Sequence, residues 1–243
     1  MRWSMNRRPT QVPAMGRVLI SARSFEEYCA NFSVVPADLL GGAVLDCPGG
    51  ASDFGAAVRR AGGRAVTVDP QYGLPHQELA ELVVEELERA RRWADQQPSR
   101  FRLGDPEWRR AEAWQRSADT FLRDIDRDRT AGTGHYVTAA LPRLPFADGT
   151  FHLVLSGFFL FTYADRADRL FHLRAVTELL RVCSGEVRLH PLNEIDGRRY
   201  RHLDWLLQEL RNRGIAVREE RVRSHIDPQD DRTLVLNAGR IRA

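Results

Sequence analysis

Two hydrophobic periods organise this chain. Short β-branched or leucine-rich runs at Val44–Cys47, Arg64–Val68, Tyr136–Ala139, Phe151–Ser156 and Glu186–His190 have strand length and carry turn signals at their ends. Between them lie longer stretches with apolar residues every three or four positions. His76–Asp95 places Leu79, Leu82, Val83 and Leu87 on one helical face. Ser24-Phe25-Glu26-Glu27 fits a capping box and predicts a helix over 24–31. Ser52 caps a helix through Arg60 that Gly62 and Gly63 stop, and Asp105-Pro106 opens one running to about Arg127. Further helices are expected over Asp165–Val182 and Gly197–Arg213, and late strands near Ala216–Val222 and Thr233–Asn237. Strands alternating with helices imply an α/β fold, a mostly parallel sheet with helices on both faces.

Chain direction adds an expectation. One crossover helix suffices to return the chain between parallel strands, yet two long helices separate Asp69 from Tyr136. The later one, about 106–127, is the natural crossover. Residues 70–100 then stand at the carboxyl edge of the sheet as a lid or one wall of a pocket, or else pack elsewhere as an insertion. The expected organisation is a leader over 1–15 and a single domain over 16–243, with 70–134 as a helical insertion plus crossover helix.

Composition narrows the function classes. At 243 residues and 43% apolar the chain makes one domain with a sizeable core. It has no apolar run near the ~20 residues a membrane span needs, and the basic opening lacks the apolar stretch of a secretory signal. Cys29, Cys47 and Cys183 are odd in number and form no CxxC pair, which argues against disulfides and zinc and for a reducing cytoplasm. The histidines show no metal-ligand spacing, so no metal is expected. All 36 basic residues are arginine, which excludes a Schiff-base lysine and a P-loop. The arginines alternate with acids in ADRADRLFHLR and VREERVR, as on solvated helix faces, and form no block that suggests a nucleic-acid footprint.

The stretch VLDCPGGASDF, Val44 to Phe54, carries the chemistry. A strand ends in Asp46, a glycine pair follows, then a capped helix, so backbone can approach a ligand at the sheet edge. The glycines do not fit G-x-G-x-x-G, and Pro48 has no N–H to give a phosphate. Asp69 closes the next strand, 23 positions after Asp46, where an acid accepts hydrogen bonds from both hydroxyls of a ribose. A turn-forming aspartate before Pro70 is the plainer alternative.

Taken in order, VLDCPGGASDF, TVDPQY, LPRLPFADGTFHLVLS and LLRVCSGEVRLHPL resemble class I S-adenosylmethionine-dependent methyltransferases over roughly residues 36–192. More narrowly they resemble an uncharacterised actinobacterial and bacillar subgroup with a DCPGG first motif. The resemblance implies a Rossmann-like seven-stranded sheet, order 3-2-1-4-5-7-6 with the last strand antiparallel, and S-adenosylmethionine as cofactor. It assigns the first loop to Asp46, Cys47, Pro48, Gly49 and Gly50. Gly50 passes the methionine part and Asp46 holds its amino group, directly or through water. Asp69 and Pro70 lie at the ribose, Ala140 and Leu141 at the adenine, and Ser156 and Gly157 beside the methyl group. Pro48 replaces the usual first glycine, and Ala140 stands where an aspartate often meets the adenine amino group, leaving that contact to backbone near Leu141. His152 replaces an aspartate at the start of a strand, away from the cofactor.

For a base, His190 and Tyr163 are the candidates at the carboxyl edge, each with a packing role as the alternative; His172 falls inside a helix and reads as structural. Phe158–Phe161 lines an apolar pocket or packs in the core. The DNA-amino N-P-P-Y type motif and the cytosine-C5 Pro-Cys nucleophile are missing. The implied activity is methyl transfer to a small-molecule acceptor; the alternative is a non-catalytic cofactor-binding or regulatory protein of the same fold. A nicotinamide oxidoreductase is disfavoured by the glycine spacing. The acceptor and the oligomeric state stay open.

Overall fold

The computed structural model describes residues 17–97, 107–224 and 227–238. Its centre is a seven-stranded sheet in the order β3-β2-β1-β4-β5-β7-β6. The strands are β1 Ala43–Asp46, β2 Arg64–Val68, β3 Tyr136–Val137, β4 Phe151–Gly157, β5 Cys183–His190, β6 Ala216–Arg221 and β7 Arg232–Asn237. Neighbours from β3 through β5 pair in parallel, and β7 runs antiparallel to both β5 and β6. This is the Rossmann-like fold of class I methyltransferases, with the late strand slotted where the resemblance puts it.

The helices are α1 Phe25–Phe32, α2 Pro36–Leu40, α3 Phe54–Arg60, α4 His76–Asp95, α5 Glu107–Ala131, α6 Arg169–Arg181 and α7 Leu203–Asn212. Strand residues alternate between two buried faces, as central parallel strands require. Val44, Leu153 and Leu155 pack with Tyr28, Phe32 and Phe54 of α1 and α3. Leu45, Val154, Val187 and Leu189 pack with α6 and α7 on the other face. A third cluster joins α4 and α5 through Leu79, Val83, Phe121 and Ile125, and takes in Ile20 and Ala22.

The Ser24 capping box forms: Ser24 accepts from Glu27 N at 3.3 Å and Glu27 accepts from Ser24 N at 2.8 Å. Boundaries move where capping residues compete. Asp53, not Ser52, precedes α3, and Ser52 instead accepts from Phe54 N. Asp168 caps α6 by accepting from Phe171 N at 2.6 Å, so that helix starts four residues after the expected Asp165. Turns carry the chain from Gly197 to His202, so α7 is shorter than its sequence pattern. Helix α2 has no counterpart among the elements expected from the sequence. The expected leader 1–15 and the Asp105-Pro106 cap lie outside the described residues. Among the described residues, no helix is long and apolar enough to cross a membrane, and no group of three His, Cys, Asp or Glu could hold a metal ion.

Candidate functional site

The carboxyl ends of β1, β2 and β4 open on a cavity of about 270 Å³. From β1 and its loop come Cys47, Pro48 and Gly50; from the end of β2, Asp69, Pro70 and Gln71. Ala139, Ala140 and Leu141 follow β3, and Gly157 closes β4. The structure therefore gathers most of the sequence-predicted cofactor residues around one space. Asp46, Gly49 and Ser156 do not line it.

Packing accounts for Gly49 and Gly50. A Cβ on Gly49 would overlap the Thr67 methyl and stand 2.8 Å from the Tyr72 hydroxyl. Gly50 has φ +56°, and its Cβ would meet the Ser21 carbonyl at 2.7 Å. The glycines let the loop lie flush on β2 and on residues near Ser21, rather than simply clearing a path for ligand. The Cys47–Pro48 bond is cis, as are Leu141–Pro142 and His190–Pro191 at the same edge.

Asp46 sits beneath this loop, 1% exposed. Its Oδ1 accepts from the Tyr28 hydroxyl at 3.1 Å, and its Oδ2 has no partner. Burial pushes its carboxyl well above the usual range; Tyr28 opposes that rise and nearby Asp69 adds to it. Asp69 is itself buried, and burial raises it to about 6 even though the amides of Gln71 (2.9 Å) and Gly50 (3.2 Å) bond its two oxygens. Two carboxylates thus lie desolvated under one loop. Among the described residues, no cation is hydrogen-bonded to either.

A segment that sequence periodicity does not announce forms the remaining wall. Residues 17–23 run across the carboxyl edge, and Val18, Leu19, Ile20 and Ser21 line the cavity. Leu19 N donates to the Tyr163 hydroxyl at 2.9 Å and Ile20 N to Glu86 at 3.2 Å. Ser21 O accepts from Ala51 N at 2.9 Å, and Arg23 O from the Ser117 hydroxyl at 2.9 Å. Arg89 reaches the Arg17 carbonyl at 3.0 Å. Helix α4 thus stands beside the edge, and its Glu86 and Arg89 fasten this strap. No local pattern in the sequence signals the strap, because its partners are 30 to 144 residues away along the chain.

The base candidates separate. Tyr163 is buried, and its hydroxyl holds the strap. His190 ends β5, 2% exposed, with Nδ1 3.0 Å from the Thr233 hydroxyl and 3.2 Å from the Arg232 carbonyl. The Thr233 hydroxyl donates to the Asn31 carbonyl, so Nδ1 carries the proton and Nε2 keeps a lone pair without a partner. Burial, helped by the charge of Arg23, lowers His190 to about 3. Its ring lies edge-on to Phe32 and Phe158 and lines neither the main cavity nor the smaller one beside it. His172 sets its two ring nitrogens 2.8 Å from the Asp168 and Leu160 carbonyls and packs on Phe161 and Tyr200, as a structural residue does.

Phe158 adopts a left-handed backbone, φ 52°, uncommon for a bulky residue. Its N–H donates to the His190 carbonyl at 2.7 Å. Its ring walls both the main cavity and the smaller one, which holds about 70 Å³.

No family model matches the chain. An uncharacterized protein of Methanocaldococcus jannaschii, MJ0045, is 28% identical over 206 residues, spanning 80% of this chain and 87% of that protein. Among solved structures, the magnesium protoporphyrin IX methyltransferase of Synechocystis PCC 6803 with bound SAM aligns at a TM-score of 0.43 and 14% identity, covering 82% of this chain and 71% of that one. A SAM-dependent methyltransferase of Thermotoga maritima, described as a possible histamine N-methyltransferase, aligns at 0.44 and 11%, covering 88% and 89%. The fold assignment rests on the strand order, to which scores at this level add nothing.

Proposed function

We propose that the chain is an S-adenosylmethionine-dependent methyltransferase acting on a small-molecule acceptor, with the cofactor in the larger cavity. One observation carries this reading: two buried carboxylates, Asp46 and Asp69, meet under a loop at the carboxyl edge, and one of their oxygens has no partner. That arrangement favours a ligand that brings positive charge and hydroxyl donors, as a sulfonium nucleoside with an ammonium group does. A dinucleotide pyrophosphate brings negative charge to the same place and finds Pro48 where a donor is needed.

Asp69 then takes the ribose hydroxyls on its remaining lone pairs. Asp46, which does not line the cavity, supports the amino-acid end from below the loop. Ala139, Ala140 and Leu141 supply backbone and apolar contact for the base. When bound, the cofactor would supply a methyl group already activated on sulfur for transfer to an acceptor lone pair.

What the protein adds is alignment and exclusion of water, the work of the strap and of Phe158. With His190 held at about 3 and the Tyr163 hydroxyl bonded to the strap, neither residue is poised to take a proton at neutral pH. The acceptor atom suited to this site arrives with its lone pair free.

Isothermal titration with S-adenosylmethionine, S-adenosylhomocysteine and NAD tests the reading. Saturable binding of both sulfur nucleosides without NAD is the expected result. Binding of NAD alone, or of none of the three, overturns it.

A further inference from the structure

The smaller cavity shares Leu19, Ser21 and Phe158 with the larger one, so the two adjoin. Among the described side chains that line it, Arg23 and Thr162 have buried polar atoms without a hydrogen-bond partner. Arg23 is 15% exposed in its side chain, and its Nε and Nη1 are buried without a hydrogen-bond partner. The Thr162 hydroxyl is also buried without one. Leaving such groups unpaired costs free energy that a ligand recovers on binding.

Neighbouring acids act on the charge of Arg23 without hydrogen-bonding its Nε or Nη1. Its nearest carboxylate, Glu27, stands 3.8 Å from Nη1, and Glu27 already accepts from the Trp114 indole at 3.1 Å and from Ser24 N at 2.8 Å. The guanidinium lies over the Phe158 ring, 3.2 Å from its centroid, which fixes its plane. Three acids also line the cavity, and Asp230 acts on the charge of Arg23. Glu194 is gripped by Arg201, Asp230 accepts from Asn193 at 3.1 Å, and Asp227 accepts from Gln229 N at 2.9 Å. The unused groups are therefore a planar cation and a hydroxyl.

We propose that Arg23 and Thr162 form the binding site for a carboxylate on the methyl acceptor. A carboxylate matches a guanidinium edge with two parallel bonds, and its second lone pairs reach a neighbouring hydroxyl. A phosphate dianion calls for more donors than these two side chains offer. The small volume and the apolar walls from Trp93, Phe158 and Pro191 suit a compact acid with an apolar body. The proposal rests on the reading of the larger cavity as the cofactor site, because that reading makes its neighbour the acceptor site.

The test uses the full chain saturated with S-adenosylhomocysteine, titrated calorimetrically with acetate and benzoate, each against its neutral amide, and with inorganic phosphate. The expected result is saturable binding of at least one acid, tenfold or more tighter than its amide, with no comparable phosphate binding. Arg23→Gln should weaken that acid at least tenfold and Thr162→Val severalfold, both leaving S-adenosylhomocysteine affinity unchanged. Equal binding of acid and amide, absence of acid binding, preference for phosphate, or an indifferent Arg23→Gln overturns the proposal. If Arg23→Gln does not fold, Thr162→Val and the acid–amide comparison on the parent protein decide. Failure of S-adenosylhomocysteine itself to bind sinks the cofactor reading instead, and acid titration of the ligand-free protein still tests Arg23.

Discussion

Asp46→Asn should make the protein more stable and worse at binding. The wild-type carboxylate is 1% exposed, takes one hydrogen bond from Tyr28, and leaves Oδ2 without a partner. Asparagine keeps the shape and keeps a carbonyl oxygen for the Tyr28 hydroxyl. It removes the carboxyl whose ionised form burial disfavours, and with it the repulsion with Asp69. A buried, unsatisfied polar group costs about 1–3 kcal/mol, more when charged, so the exchange should recover about 1–2 kcal/mol at neutral pH. In a domain of this size each kcal/mol moves the midpoint by about 2–4 °C, so melting should rise by about 2–8 °C.

The pH dependence gives a sharper check. The folded carboxyl is raised above its ordinary value of 3.8. Below that value both folded and unfolded forms hold the proton and no penalty exists. As pH rises past it the unfolded chain ionises first, so wild-type stability falls with rising pH until the folded pKa is reached. The advantage of the Asp46→Asn variant in thermal melts should therefore shrink toward pH 4. Calorimetry on the same samples should show S-adenosylhomocysteine binding weakened at least tenfold. A variant that melts below the parent at pH 7, or a gap that widens in acid, would show that Asp46 carries no unpaired burden. Unchanged ligand affinity would separate that burden from binding.

Three further outcomes follow from the same geometry. If Asp69 binds ligand hydroxyls as a carboxylate, its value of about 6 makes S-adenosylhomocysteine affinity fall about tenfold from pH 7 to pH 5, since one pH unit below a pKa is worth ~1.4 kcal/mol; Asp69→Asn should bind weakly and flatten that dependence, and titration in matched buffers reads it. Gly50→Ala forces a Cβ to 2.7 Å from the Ser21 carbonyl at φ +56° and should cost about 2 kcal/mol, with faster amide exchange across residues 18–22 in hydrogen-exchange mass spectrometry. Arg188→Met removes bonds to the Phe32 and Ser33 carbonyls and ion pairs with Asp38 and Glu186; urea unfolding should show a loss of about 2–4 kcal/mol, while ligand binding changes little.

What sequence reading reached is what local physics decides. The strands Arg64–Val68 and Phe151–Gly157 follow from runs of residues buried on both faces, and α1 follows from a cap written within four residues. Their order in the sheet comes through family resemblance, since periodicity says nothing about which strands are neighbours. The strap escapes because residues 17–23 have no period of their own; Glu86, Tyr163, Ala51 and Ser117 give them their path. Phe158 escapes because nothing in the letters FFLF marks a left-handed residue.

The arginines show where such reading ends. In sequence, Arg23 and Arg188 are two of 36, and nothing local sets them apart from arginines expected on solvated faces. Whether a given arginine loses its water depends on which element crosses above it, and tertiary structure alone supplies that. Arg188 is buried with a full set of carbonyl and carboxylate partners, so its burial tethers α1 to β5. Arg23 is largely covered, paired with Glu27 at 3.8 Å and laid over Phe158, yet its Nε and Nη1 have no hydrogen-bond partner. Folding stability accounts for the first; the second is the observation on which the proposed acceptor site rests.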